Sequence, residues 1–131
     1  MLLTSAFLLS LIAAPRELAV VAIDTTPARR AAVTAAVNRV ATDDVVIADA
    51  DADALARRYA SGCSIDAACW ARAGLAGTVG GIVVVGPGDN LAFVDVATVT
   101  RRQQTLPAAA DDGSYGALDM VIGVLLFPDR W

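Results

Sequence analysis

The sequence predicts a single small α/β domain in which a mixed β-sheet is flanked by helices, in the order β-α-β-α-α-β-β-β-α. Three observations carry this expectation. The runs LAVVAI at Leu18 to Ile23 and IVVV at Ile82 to Val85 are short, uncharged and rich in β-branched residues, as strands buried on both faces are. Segments with helical apolar spacing stand between them, which is the pattern of parallel strands joined by helical crossovers. After Val85 the character changes to strand-like segments separated by turn residues, followed by one apolar helix. At 131 residues and 56% hydrophobic content the chain suits one domain with a packed core.

The elements follow in order from local signals. Asp24 ends the first strand, Thr26 stands at a helix N-cap, and Pro27 occupies the first turn, where its missing N–H costs nothing. Along Ala28 to Ala41, Val33, Ala36, Val37 and Val40 recur at helical spacing and define a sheet-facing side. Val45 to Ala48 reads as a second strand. A short helix with Leu55 and Tyr59 then runs to Gly62, with Asp51 or Asp53 expected at its cap. Ser64 is expected to cap the following helix, whose first turn carries Asp66 and which the glycines from Gly77 to Gly81 end. Gly86 to Asn90 is a turn by composition. In the strand Leu91 to Val96, Leu91 and Phe93 share one parity, while Ala92, Val94 and Val96 share the other. Thr98 and Val99 mark a second reversal, and Thr100 to Leu106 is a polar, edge-like strand. Pro107 to Gly113 is a connector. Ser114 to Phe127 forms a last helix with Leu118, Val121, Ile122, Leu125 and Leu126 on one side.

Residues 1–14, MLLTSAFLLSLIAA, have the apolar run and small-residue ending of a signal peptide, so the folded domain is expected over 15–131. The segment is short for a membrane span, and no cysteine follows it to take a lipid. A periplasmic or secreted product without a transmembrane span is therefore expected, with an uncleaved membrane-surface anchor as the alternative.

Charge and residue types exclude several function classes. The net charge is −4 from 14 acids and 10 bases, every base is Arg, and no His or Lys occurs. Scattered arginines on an acidic chain lack the basic footprint that nucleic acid selects. Without His there is no Ser-His or Cys-His dyad, and no G-x-x-x-x-G-K stands for a nucleotide. Cys63 and Cys69 are the only cysteines, and in an exported chain they are expected to form a disulfide rather than a metal or redox site. Asp49, Asp51 and Asp53 imitate a calcium loop, but Ala54 and Ala60 replace its glycine and its bidentate glutamate. Gly86-Pro87-Gly88 lacks the third glycine and the helix of a dinucleotide turn. No metal, cofactor or catalytic set is expected. Asp24 and Asp49, at strand ends, are the positions an enzyme or small-ligand binder would use.

Several strings taken together resemble the small α/β domain at the N-terminus of the periplasmic translocation protein TolB, a family that includes exported myxobacterial proteins. They are VVIADADADALARRYASG, GCSIDAAC, GGIVVVG and the segment from Phe93 to Thr98, within a stretch from Leu18 to Phe127. The chain differs from the family pattern in a shorter Gly86 to Phe93 segment and in Val99, where the family has glycine. The resemblance implies a non-catalytic, exported domain of the bacterial envelope that binds another protein, with a degenerate structural accessory as a further alternative. The candidate interaction edge is the polar strand, at Arg101, Arg102 and Gln103.

Overall fold

The computed structural model describes residues 15–108 and 116–130. The expected signal peptide and the larger part of the expected connector fall outside them.

The expected element order is the observed one. β1 (Glu17–Ala22) lies between two parallel neighbours, β2 (Val45–Val46) and β3 (Gly81–Val85). β4 (Asn90–Asp95) and β5 (Thr100–Thr105) continue the sheet as an antiparallel meander, which gives the five-stranded order β2-β1-β3-β4-β5. Helices cover both faces. α1 (Pro27–Val40) and α4 (Leu118–Leu126) pack on Leu18, Val20, Val83, Val85, Leu91 and Phe93. α2 (Asp49–Tyr59) and α3 (Ala67–Ala76) pack on the other face, with Ala19, Val21, Ile82, Val84, Ala92 and Val94. The two sets alternate along each strand because successive side chains point to opposite faces. Among the described residues no polar or charged side chain is fully buried, so the core is held by apolar packing.

Local signals that depend on neighbouring residues alone place α1 as expected. Thr26 accepts a hydrogen bond from the Arg29 amide at 3.2 Å, Pro27 begins the helix, and Val33, Ala36 and Val37 are buried. Four boundaries differ from expectation. β2 is shorter: the Ile47 amide still donates to the Leu18 carbonyl at 2.9 Å, but Ala48 is already the N-cap of α2. Asp51 and Asp53 therefore lie within α2 instead of capping it, and Asp49 and Asp51 meet the positive end of its dipole in the first turn. α3 is capped by Asp66, whose Oδ1 accepts from the Ala68 amide at 3.0 Å, and not by Ser64. Ser64 belongs to the loop closed by the Cys63–Cys69 disulfide, which ends in the first turn of α3 with the two Cα atoms 5.6 Å apart. α4 starts at Leu118, since Ala117 takes a left-handed φ of 62° that a right-handed helix cannot continue through, and the expected start at Ser114 lies outside the described residues.

One glycine brings a helix close to the sheet. A Cβ at Gly74 of α3 would collide with Val96 and approach Ile82 Cδ1 to 3.4 Å, so only a bare Cα lets α3 sit this low over β3.

Candidate functional site

β5 is the outer strand of the sheet and, among the described residues, pairs with β4 alone. Its register sets Arg101 opposite Val94, Arg102 opposite Phe93 and Gln103 opposite Ala92. Facing residues of an antiparallel pair share a side, so Arg101 and Gln103 point to the α2/α3 face and Arg102 to the α1/α4 face. The three residues expected to act together are thus divided.

Arg102 is engaged within the fold. Its Nε donates to the Leu125 carbonyl at 2.7 Å and its Nη2 to that of Leu126 at 3.3 Å, where the end of α4 leaves carbonyls without helical partners. Its guanidinium also lies 5.3 Å from the centroid of the Phe93 ring. Gln103 instead donates from Nε2 to Asn90 Oδ1 at 2.9 Å, and the Asn90 amide side chain donates to the Pro87 carbonyl at 2.8 Å. This chain links the strand to the turn that precedes β4. Arg101 makes no ion pair or side-chain hydrogen bond among the described residues.

Arg101 and Gln103 border a groove of about 250 Å³ on the α2/α3 face of the sheet, above buried strand residues. Val84, Ala92 and Val94 make its floor, Ile65 and Trp70 one wall, Arg101 and Gln103 the other, and Gly86 and Pro87 one end. The floor is shallow in side-chain volume because Ala92 stands where a larger strand residue would fill the space. Trp70 is itself buried, and its Nε1–H donates to the Ser64 carbonyl at 3.4 Å. The disulfide loop holds Ile65 at the lip, 66% exposed, an uncommon exposure for an isoleucine in a fold with this much apolar core. A second cavity of about 340 Å³ lies on the other side of Trp70 and Ser64, at the C-terminal end of β1. It is lined by Val21, Ile23, Ala56, Ala60 and Cys63 among others, and no titratable side chain among the described residues faces it.

The carboxylates at the strand ends are not brought together as an acid–base pair. Asp24 is exposed, has a left-handed φ of 45°, and lines neither cavity. Asp49 and Asp53 both turn to Arg30, at 3.7 Å from Nη2 and 2.8 Å from Nη1. The same guanidinium donates to the Val20 carbonyl at 2.9 Å, which ties α1, β1 and the start of α2 together. Because Asp49, Asp51 and Asp53 lie on a helix, they fan around its axis instead of converging as a calcium loop would. No group of His, Cys, Asp or Glu suited to a metal ion occurs among the described residues. At the switch point of the sheet, where open α/β folds bind nucleotides, the Ile23 amide donates to the Val85 carbonyl at 2.8 Å and keeps β1 and β3 zipped past their ends. Gly86, with φ 96°, is needed there because a Cβ would strike the Ile23 carbonyl.

No protein-family model, curated protein or solved structure matches the chain. Among the described residues, no helix is long and apolar enough to cross a membrane. The groove escaped sequence reasoning because its walls come from the loop after α2, from α3 and from three strands. Its one local signal was Ile65, a large apolar residue between Ser64 and Asp66 in the disulfide-closed loop.

Proposed function

We propose that this chain is a non-catalytic interaction domain of an exported protein of the bacterial envelope, and that it receives an extended segment of a partner protein along β5. The observation that carries the proposal is the open side of that strand. The Leu106 amide donates inward to the Asp89 carbonyl at 2.7 Å, in register with the β4–β5 ladder. Inward and outward backbone groups alternate along an antiparallel strand, so those of Arg101, Gln103 and Thr105 point away from β4. A row of outward N–H and C=O groups is the template that strand addition uses.

Edge charge is the usual guard against such pairing. Here the Arg102 guanidinium is drawn onto α4, which leaves Arg101, among the described residues of β5, as the cation beside the open ladder. The disulfide suits an oxidising compartment, and the resemblance to the TolB N-terminal domain supports both the envelope location and a protein partner.

The test is Gln103→Pro. Proline at an outward-facing edge position removes a donor the β4 ladder does not use, so the fold survives. Crosslinking in envelope preparations, compared between wild type and this variant at equal melting temperature, is expected to show loss of the partner adduct. An undiminished adduct would place the contact elsewhere.

A further inference from the structure

The end of the sheet where β1 begins is built around Arg16. Its Nη2 reaches Asp44 Oδ2 at 3.0 Å, in the loop before β2, and its Nη1 lies 3.8 Å from Asp95 Oδ2, at the end of β4. The Val45 amide donates to the Arg16 carbonyl at 2.9 Å, the Gly80 amide to the Glu17 carbonyl at 2.8 Å, and the Val96 amide to the Gly80 carbonyl at 3.1 Å. α3 finishes at the same end, with Gly74 against Val96 and the Thr78 amide donating to the Leu75 carbonyl at 3.2 Å. The chain therefore enters the fold from residues 1–14 at a fixed point, with Val45 on one side and Leu75 and the Val99 turn on the other.

These three apolar side chains are turned to the outside. Leu75 is 67% exposed, and Val45 and Val99 are each about half exposed. At Val99 the exposure coincides with strain, because a β-branched residue is held at φ 54°. A strained residue whose side chain gains little packing inside the fold points to a contact outside it.

Residues 1–14 indicate what that contact is. MLLTSAFLLSLIAA carries no charged side chain, is short for a membrane span, and joins the fold at this end. Pro15 has no N–H and follows directly on Ala13 and Ala14, where a cut would fall, which opposes removal of the segment. The charges select the kind of surface. Arg16 is matched by two aspartates, Glu17 and Asp43 beside it are exposed, and the net charge is −4, so an anionic lipid surface repels this end and a zwitterionic one does not.

We infer that residues 1–14 hold the chain on a zwitterionic bilayer surface and that Val45, Leu75 and Val99, around the point where they join the fold, rest in its interface. The inference does not depend on strand addition. It is compatible with it, because β5 starts at Thr100 beside this end and runs away from the bilayer, which leaves its open side clear of lipid.

The experiment mixes the chain of residues 1–131 with phosphatidylcholine vesicles and reads partitioning by flotation, for wild type, Leu75→Asp combined with Val99→Asp, Val99→Gly, and Ile65→Asp. Ile65 is as exposed as Leu75 but stands at the opposite end, near Gly86. Partitioning is expected to fall roughly tenfold in the double variant, to fall less in Val99→Gly, and to be unchanged in Ile65→Asp. Val99→Gly keeps the test independent of folding, since relief of the turn raises stability while loss of the side chain lowers partitioning. A double variant that partitions like wild type overturns the inference, because residues 1–14 then act without this end of the fold. A wild-type chain that stays off the vesicles, or binds only when phosphatidylglycerol is added, overturns it as well. So does an intact mass from envelope preparations that shows residues 1–14 removed.

Discussion

Arg102 on β5 and Phe93 on β4 face one another across the ladder, with the guanidinium 5.3 Å from the ring centroid and its Nε reaching the Leu125 carbonyl at 2.7 Å. The outer strand is thereby tied to α4 by a side chain that sequence reasoning placed on the partner-facing surface. Arg102→Ala removes a charged donor from two helix-end carbonyls and uncovers Phe93. It is expected to lower stability by about 1–2 kcal/mol. Arg101→Ala, one residue away on the other face, should change it by no more than about 0.5 kcal/mol. Urea titration of both variants checks the contrast.

Val99 closes the β4–β5 turn with φ 54°, the left-handed region that a β-branched residue occupies at a cost. The turn is otherwise well made, since Asp95 Oδ1 accepts from the Thr98 amide at 3.1 Å. Val99 is about half exposed, so its side chain contributes little packing. Val99→Gly is expected to raise stability by roughly 0.5–1 kcal/mol, the relief of the left-handed conformation less the entropy of a free glycine. Val99→Ala should fall between the two, as read from the urea midpoint.

Replacing both Cys63 and Cys69 by Ala is expected to cost about 2 kcal/mol, as a short loop gives in the chain-entropy treatment. The loss should be accompanied by a local change. The loop would no longer hold the Ser64 carbonyl over the Trp70 indole, and tryptophan emission of the folded variant should shift to longer wavelength. A stability loss without an emission change would separate the disulfide from the shape of the groove.

Asp119 of α4 receives Nε and Nη2 of Arg39 from α1, the shortest contact being 2.7 Å. The hydrogen bond from Arg39 holds the Asp119 carboxyl below its ordinary value of 3.8, against a smaller desolvation effect. The folded state thus keeps Asp119 ionised at a pH where the unfolded chain has begun to bind its proton. The stabilisation is complete above the ordinary value and disappears as pH falls through the lowered one. Both groups are exposed, and the effect is small. Asp119→Asn is expected to melt slightly below wild type at neutral pH and together with it in strong acid.

Residues whose signals are local were legible in the sequence. Thr26 and Pro27 begin α1 by capping chemistry that needs only the next few residues, and the alternation of Leu91 and Phe93 against Ala92 and Val94 assigns them to the correct layers. Ser64 and Asp66 are equally good caps by type, and the choice between them depends on the loop closed through Cys69. The edge position of TRRQQT followed from its polarity, but the division of Arg101 from Arg102 requires the register with β4 and the position of α4. The meeting of Ile65 with Gln103 in one groove is a tertiary fact that no spacing encodes.

The pairing of Leu18 with Gly81 joins strands far apart in the chain. β3, β4 and β5 form a meander whose contacts are close in sequence, and such contacts form early because the loops they close are short. β1 can join them only when a loop containing α1, β2, α2 and α3 has closed, and that entropy is spent before the β1–β3 ladder returns anything. The slow step of folding is therefore expected to be the docking of the first strand onto a preformed meander, which stopped-flow refolding checks. Relief of the turn at Val99 should speed formation of the meander and leave that docking rate nearly unchanged, whereas truncation of Leu18 or Val20 should slow it.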